Sequence, residues 1–170
     1  MGFGMGLSKS LYELQQIDLE LQRKQQLLDE TERNLGESEA LIEARAQFAS
    51  LKSHLAGVET KQKAADWEVE DLASKVKQLK DKLYGGTVKN PKELVSLEHE
   101  REILQKQLRE KEDALLDLMA EAESTRDKLR QGSQSLKETE SKWRQEQEVL
   151  LQKQAQLKKE LTELNHRRDI

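Results

Sequence analysis

The sequence predicts an all-α fold, a long antiparallel two-helix coiled-coil hairpin. Three observations carry that expectation. Apolar residues recur at spacings of three and four along almost the whole chain. Charged residues of both signs make up 36% of the 170 residues and aromatics only 4%, enough for a thin seam and too little for a thick core. The only Pro and the only Gly-Gly of the chain fall together near its middle, where a turn belongs.

Residues 1–7 are expected to form a flexible N-terminus. Met1-Gly-Phe-Gly-Met-Gly6 has no basic stretch ahead of an apolar core, so it does not read as a secretory signal. Gly2 invites comparison with an acylation motif, but position six is Gly6 where Ser or Thr is required. Residues 8–84 are expected as the first coiled-coil helix. Leu14, Ile17, Leu21, Leu28 and Leu35 mark its first seam, and Phe48, Leu51, Leu55, Val58, Ala65, Val69, Leu72, Val76, Leu79 and Leu83 its second. The two runs are one residue out of step. The slip falls near Gly36, where a bend or a local change of winding is expected.

The tip loop is placed at residues 85–90. Gly85 is the candidate for the left-handed residue that closes the first helix. Lys80 and Lys82 sit in the last turn, where cations complement the helix dipole. Asn90 suits an N-cap, Pro91 the first helical position, and Glu93 stands three residues after the cap, as in a capping box. Residues 91–168 then form the second helix. Its seam runs Leu97, Leu104, Leu108, Leu115, Leu118, Ala122, Leu129, Leu136, Trp143, Leu150, Leu157 and Leu164, in one heptad frame. Each arm is roughly 75 residues, hence about 110 Å at ~1.5 Å per residue. A tip centred near Thr87 sets Leu83 near Pro91, and Leu14 near Glu160 and Leu161. Polar residues also fall on the expected seam: Lys24, Thr31, Arg45 and Gln62 in the first arm, Arg101, Lys111, Gly132 and Glu146 in the second. A monomeric hairpin is favoured over a homodimer.

Composition excludes several chemistries. There is no Cys, so the 170 residues offer no disulfide, thiolate ligand or Cys nucleophile. His54, His99 and His166 are far apart and do not face one another on the hairpin register. No run of 18 apolar residues is present to span a membrane. Trp143 and Trp67 are expected to pack along the seam. A two-helix rod encloses no cavity to desolvate a carboxylate, so no catalytic residue, cofactor or metal site is assigned, and the chain is read as a non-enzyme. Cytoplasmic location is the default expectation.

The tip is the one asymmetric feature. Residues 75–92 carry six Lys against the single acid Asp81, while the whole chain has net charge −4. Lys80, Lys82, Tyr84, Gly85, Gly86, Thr87, Val88, Lys89, Asn90, Pro91 and Lys92 are therefore the candidate partner-binding residues. They suit an acidic protein or nucleic-acid phosphates.

The run Leu83-Tyr-Gly-Gly-Thr-Val-Lys-Asn-Pro-Lys-Glu-Leu94, with Ser96-Leu97-Glu98-His99-Glu100 behind it, resembles the tip of the bacterial C4-type zinc-ribbon coiled-coil proteins. Leu11-Tyr-Glu-Leu-Gln-Gln-Ile-Asp18 and Lys111-Glu-Asp-Ala-Leu-Leu-Asp-Leu-Met119 are similar to that family as well. The resemblance implies a helical hairpin followed by a small domain in which four Cys bind zinc. It also implies an adaptor or nucleic-acid-binding role linked to flagellar or type III secretion assembly and to an alternative sigma factor. The departure is the missing Cys: the ribbon expected after residue 170 is absent from this sequence, so zinc belongs to no residue present. The function expected is a coiled-coil adaptor rod presenting a basic tip to a protein partner of unknown identity. The alternative is a nucleic-acid-binding protein acting through that tip and a missing ribbon. Helical-hairpin factors of the RNA polymerase secondary channel share the shape but carry acidic tips.

Overall fold

The computed structural model describes residues 2–169. Three helices follow in order: α1, Gly2–Asn34; α2, Glu39–Tyr84; and α3, Pro91–Asp169. All regular structure among the described residues is helical, as a chain of period-3.5 apolar repeats requires. The chain divides into two units, Met1–Arg45 with Ser135–Ile170, and Ala46–Gln134.

In the first unit α1 and the start of α2 run antiparallel to the end of α3. Asp18 meets Arg168 at 3.2 Å, Lys24 meets Glu160 at 2.6 Å, and Arg45 meets Glu140 at 3.4 Å. Leu28, Leu157 and Leu161 form a buried cluster with Leu21 against it, and Leu41 is fully buried. In the second unit the rest of α2 runs antiparallel to the first part of α3. His54–Glu121, Glu59–Arg126 and Glu68–Lys111 cross the arms at 3.0, 3.3 and 2.8 Å. Val58, Val76, Leu79 and Ala122 are its buried apolar residues. The cross-arm ion pairs are mostly exposed and each stabilises by at most about 1 kcal/mol. The buried leucines, at ~1.5–3 kcal/mol each as an upper estimate, dominate.

Several sequence expectations are corrected here. Residues 1–7, expected to be flexible, are drawn into α1 from Gly2. Once a helix exists each further residue adds one bond, and the unfavourable nucleation step is not repeated. The first arm is not one helix over 8–84 but two, separated at residues 35–38. Gly36 there has φ +112°, a conformation closed to other side chains, so the slip is a full interruption and not a bend. Ser38 restarts the chain as an N-cap, its Oγ accepting the Leu41 amide at 3.1 Å.

The register also differs. Lys24, not Leu14, meets Glu160, a slide of ten residues. At the turn Leu83 lines the same groove as Leu94 and Val95. Thr87 and Val88 of the loop line one groove with Lys82 of α2 and with Glu93, Ser96 and Leu97 of α3. Arg45, Lys111 and Glu146, expected in the seam, are exposed. Leu41, Ala44 and Phe48 face inward around the first, and Gln147 replaces Glu146. Thr31 and Thr125 are buried, their hydroxyls donating to the carbonyls of Leu27 at 2.7 Å and Glu121 at 2.8 Å. Gly132 does lie in the seam, with Phe48 and Leu51 over it. Trp143 is half-buried, but Trp67 is 68% exposed and packs on no core.

The break is closed from the opposite arm. Trp143 Nε1 donates to the Gly36 carbonyl at 2.9 Å. Gln147 accepts the Gly36 amide with Oε1 at 2.9 Å and donates Nε2 to the Asn34 carbonyl at 3.3 Å. One side-chain amide thus supplies the bonds that a continuous helix would have made for itself. Arg45 adds contacts to Glu37 at 2.5 Å and Glu140, and its guanidinium pKa is raised chiefly by the Glu37 hydrogen bond.

Candidate functional site

The tip lies within the second unit. The Gly85 amide donates to the Asp81 carbonyl at 2.8 Å, ending α2. A methyl group on Gly85 would come within 2.4 Å of that oxygen, so this position admits no side chain. The left-handed residue is Gly86, at φ +72°, and not Gly85 as the sequence suggested. The two adjacent glycines therefore serve different steric needs. Asn90 caps α3 as expected: its Oδ1 accepts the Lys92 amide at 3.0 Å, and its carbonyl accepts the Leu94 amide at 3.0 Å. Pro91 occupies the first helical position, where a missing amide proton forfeits no bond.

These caps hold the charged side chains outward. Lys82, Lys89 and Lys92 are exposed, and Lys80 is half-buried. Lys75 is paired with Asp71 at 3.1 Å, one turn earlier. The ammonium groups of Lys77, Lys80, Lys82, Lys89 and Lys92 have no ion pair or hydrogen bond among the described residues. Tyr84 is 76% exposed at the end of α2. Gly86 and Thr87 are exposed, and Val88 turns partly inward.

Two shallow grooves flank the turn. One, of about 440 Å³, is lined by Lys82, Thr87, Val88, Glu93, Ser96 and Leu97. The other is lined by Leu83, Leu94, Val95, Glu98, His99 and Glu102. Arg101 binds Glu98, and that hydrogen bond is the main reason its pKa is raised. The structure thus brings Lys82, Thr87 and Val88 together. It adds Ser96 and Leu97, which sequence reasoning placed outside the site. Their signal was available, since one turn of helix after a cap returns to the loop's side.

No group of three or more His, Asp or Glu side chains among the described residues is arranged to hold a metal ion. His54 pairs with Glu121, while His99 lies at the acidic groove. No helix of the described residues is long and apolar enough to cross a membrane. The arrangement brings positive charge, apolar side chains and hydroxyls together at the turn.

No curated protein and no solved structure matches the chain. A family described as the CT398-like coiled coil hairpin domain matches residues 6–170. The chain belongs to the CT398-like coiled coil hairpin domain family.

Proposed function

We propose that this protein is a non-enzymatic adaptor rod whose basic tip docks a protein partner. The observation that carries the reading is the set of unpaired tip ammonium groups held outward by a capped turn, with no acid anywhere in residues 82–92. Elsewhere on the arms the lysines alternate with acids, as on an ordinary solvated face. A coiled-coil hairpin domain is compatible with a scaffold or adaptor role.

In this proposal the rod is one of the cytoplasmic regulators linked to flagellar or type III secretion and sigma-factor control, a reading supported by the resemblance of residues 83–94 to zinc-ribbon coiled-coil proteins. No metal or cofactor is assigned to any residue of the chain. The test is charge reversal at Lys80, Lys82, Lys89 and Lys92 together, read by partner pull-down. Loss of the partner supports the reading, and an unchanged pull-down reduces the tip to a turn.

The local charge also supports a second reading, direct nucleic-acid binding. That reading requires affinity that falls steeply between ~50 and 200 mM salt. Absence of binding to single- or double-stranded probes at low salt removes it.

A further inference from the structure

We infer that the groove beside the turn takes an acidic peptide segment carrying one apolar anchor residue. This rests on the tip being a protein-docking surface and names the class of partner. Val88 and Leu97 are the apolar residues lining the groove, both half-buried, so both still offer apolar surface to an incoming side chain. Thr87 and Ser96 add hydroxyls to its lining, and Lys82 adds a positive charge. Lys89 and Lys92 follow on the loop and the first turn of α3, exposed and without ion-pair partners. A Leu-sized side chain seated on Val88 and Leu97 brings flanking carboxylates within reach of these long, flexible ammonium stems. The apolar contact supplies residence time, and the charges supply encounter rate and the preference for acidic sequences.

The same residues favour a peptide over a nucleic-acid strand. Glu93 also lines the groove. A phosphate backbone presents negative charge at every step and would meet it, whereas a peptide can place a neutral residue or a donor there. Strand-binding surfaces also stack successive bases on aromatic rings. Here Tyr84 is the single aromatic residue of the turn.

The experiment uses the 170-residue chain and a short fluorescent peptide with one Leu flanked by Glu, followed by anisotropy. Three controls run beside it: the same peptide with Ser for Leu, the peptide with Lys for Glu, and a short single-stranded RNA. Saturable binding is expected for the Leu/Glu peptide alone. Affinity should fall about tenfold or more for the Ser peptide, for Val88→Ser, and for Lys82→Glu with Lys89→Glu, while circular dichroism is unchanged. The peptide-side control carries the test if Val88→Ser disturbs the turn. No saturable binding, equal binding of the Ser peptide, or tighter binding of the RNA overturns the inference. If the peptide fails while the fourfold charge reversal still strips a partner in pull-down, docking at the tip stands and this assignment falls.

Discussion

Gly132 should tolerate, and profit from, a methyl group. It lies in the interior of α3, where glycine is about 0.5–1 kcal/mol worse than alanine because it loses more backbone freedom on folding. Glycine in a seam is often there to make room, and the structure measures how much room is used. A Cβ at Gly132 would stand 3.7 Å from Phe48 Cδ2 and 3.8 Å from Leu51 Cδ1, ordinary contact distances with nothing closer. The added carbon would therefore bury apolar surface without moving Phe48. That contact is part of one methyl's transfer energy, at most ~0.8 kcal/mol, and is smaller here because the site is only half-buried. Gly132→Ala should stabilise by about 1 kcal/mol in all. Urea unfolding followed at 222 nm gives the value directly, and a rise in Tm of about 2–4 °C should accompany it. Gly57→Ala, in α2 with nothing within 4 Å of the new carbon, isolates the backbone share of the gain. A Gly132→Ala chain less stable than the parent would refute the argument, since Phe48 would then need the space that the structure leaves empty.

Other outcomes follow from the turn, the break and the base. Gly85→Ala forces a 2.4 Å clash with the Asp81 carbonyl and should lose the closing hydrogen bond, destabilising by about 1–3 kcal/mol in the same urea assay. Gly86→Ala, which only incurs a left-handed φ, should lose about 1–2 kcal/mol. Gln147→Ala removes both side-chain bonds to the break and should cost about 1 kcal/mol, because the freed groups are exposed and can turn to water. Native-state amide exchange should show faster opening at Gly36 in that variant, and unchanged protection there would count against the clamp. The Glu160 carboxyl is held below its ordinary value near 4.5, first by the Lys24 hydrogen bond and then by Gln156. A depressed carboxylate stabilises fully above its unfolded value, and that contribution fades as pH falls through the lower folded value. Lys24→Met should therefore flatten the loss of stability on the acid side of pH 4.5, and an unaltered acid limb would contradict the pairing.

Much of this architecture is legible in the residues, for reasons that differ by element. Asn90 and Pro91 mark the start of α3 because caps are local, decided within one turn of chain. The leucine seams are legible because a two-helix contact repeats one demand every three or four residues. The register is not, because a heptad pattern looks the same after sliding. The interruption at Gly36 shows in the sequence as a one-residue slip. Its clamp does not, because Gln147 is ordinary on a helix surface until Asn34 and Gly36 lie opposite it. At the tip the lysines were visible from charge alone. The groove was not visible from charge, although Ser96 and Leu97 lie one turn past the cap, where the helix returns to the loop's side.

The turn also has a kinetic meaning. Lys24 and Glu160 stand 136 residues apart in sequence, so an encounter that began there would close almost the entire chain in one step. Between Gly85 and Asn90 the chain reverses through local bonds, and each layer added next to it closes a loop only slightly longer than the last. Loop entropy rises with the logarithm of length, so this order spreads a large penalty over many small increments. Nucleation at the turn would let the glycines there govern how fast pairing starts. A lesion at Gly85 would act on the folding rate, whereas one at Leu157 or Leu161 would act on how readily the closed base reopens.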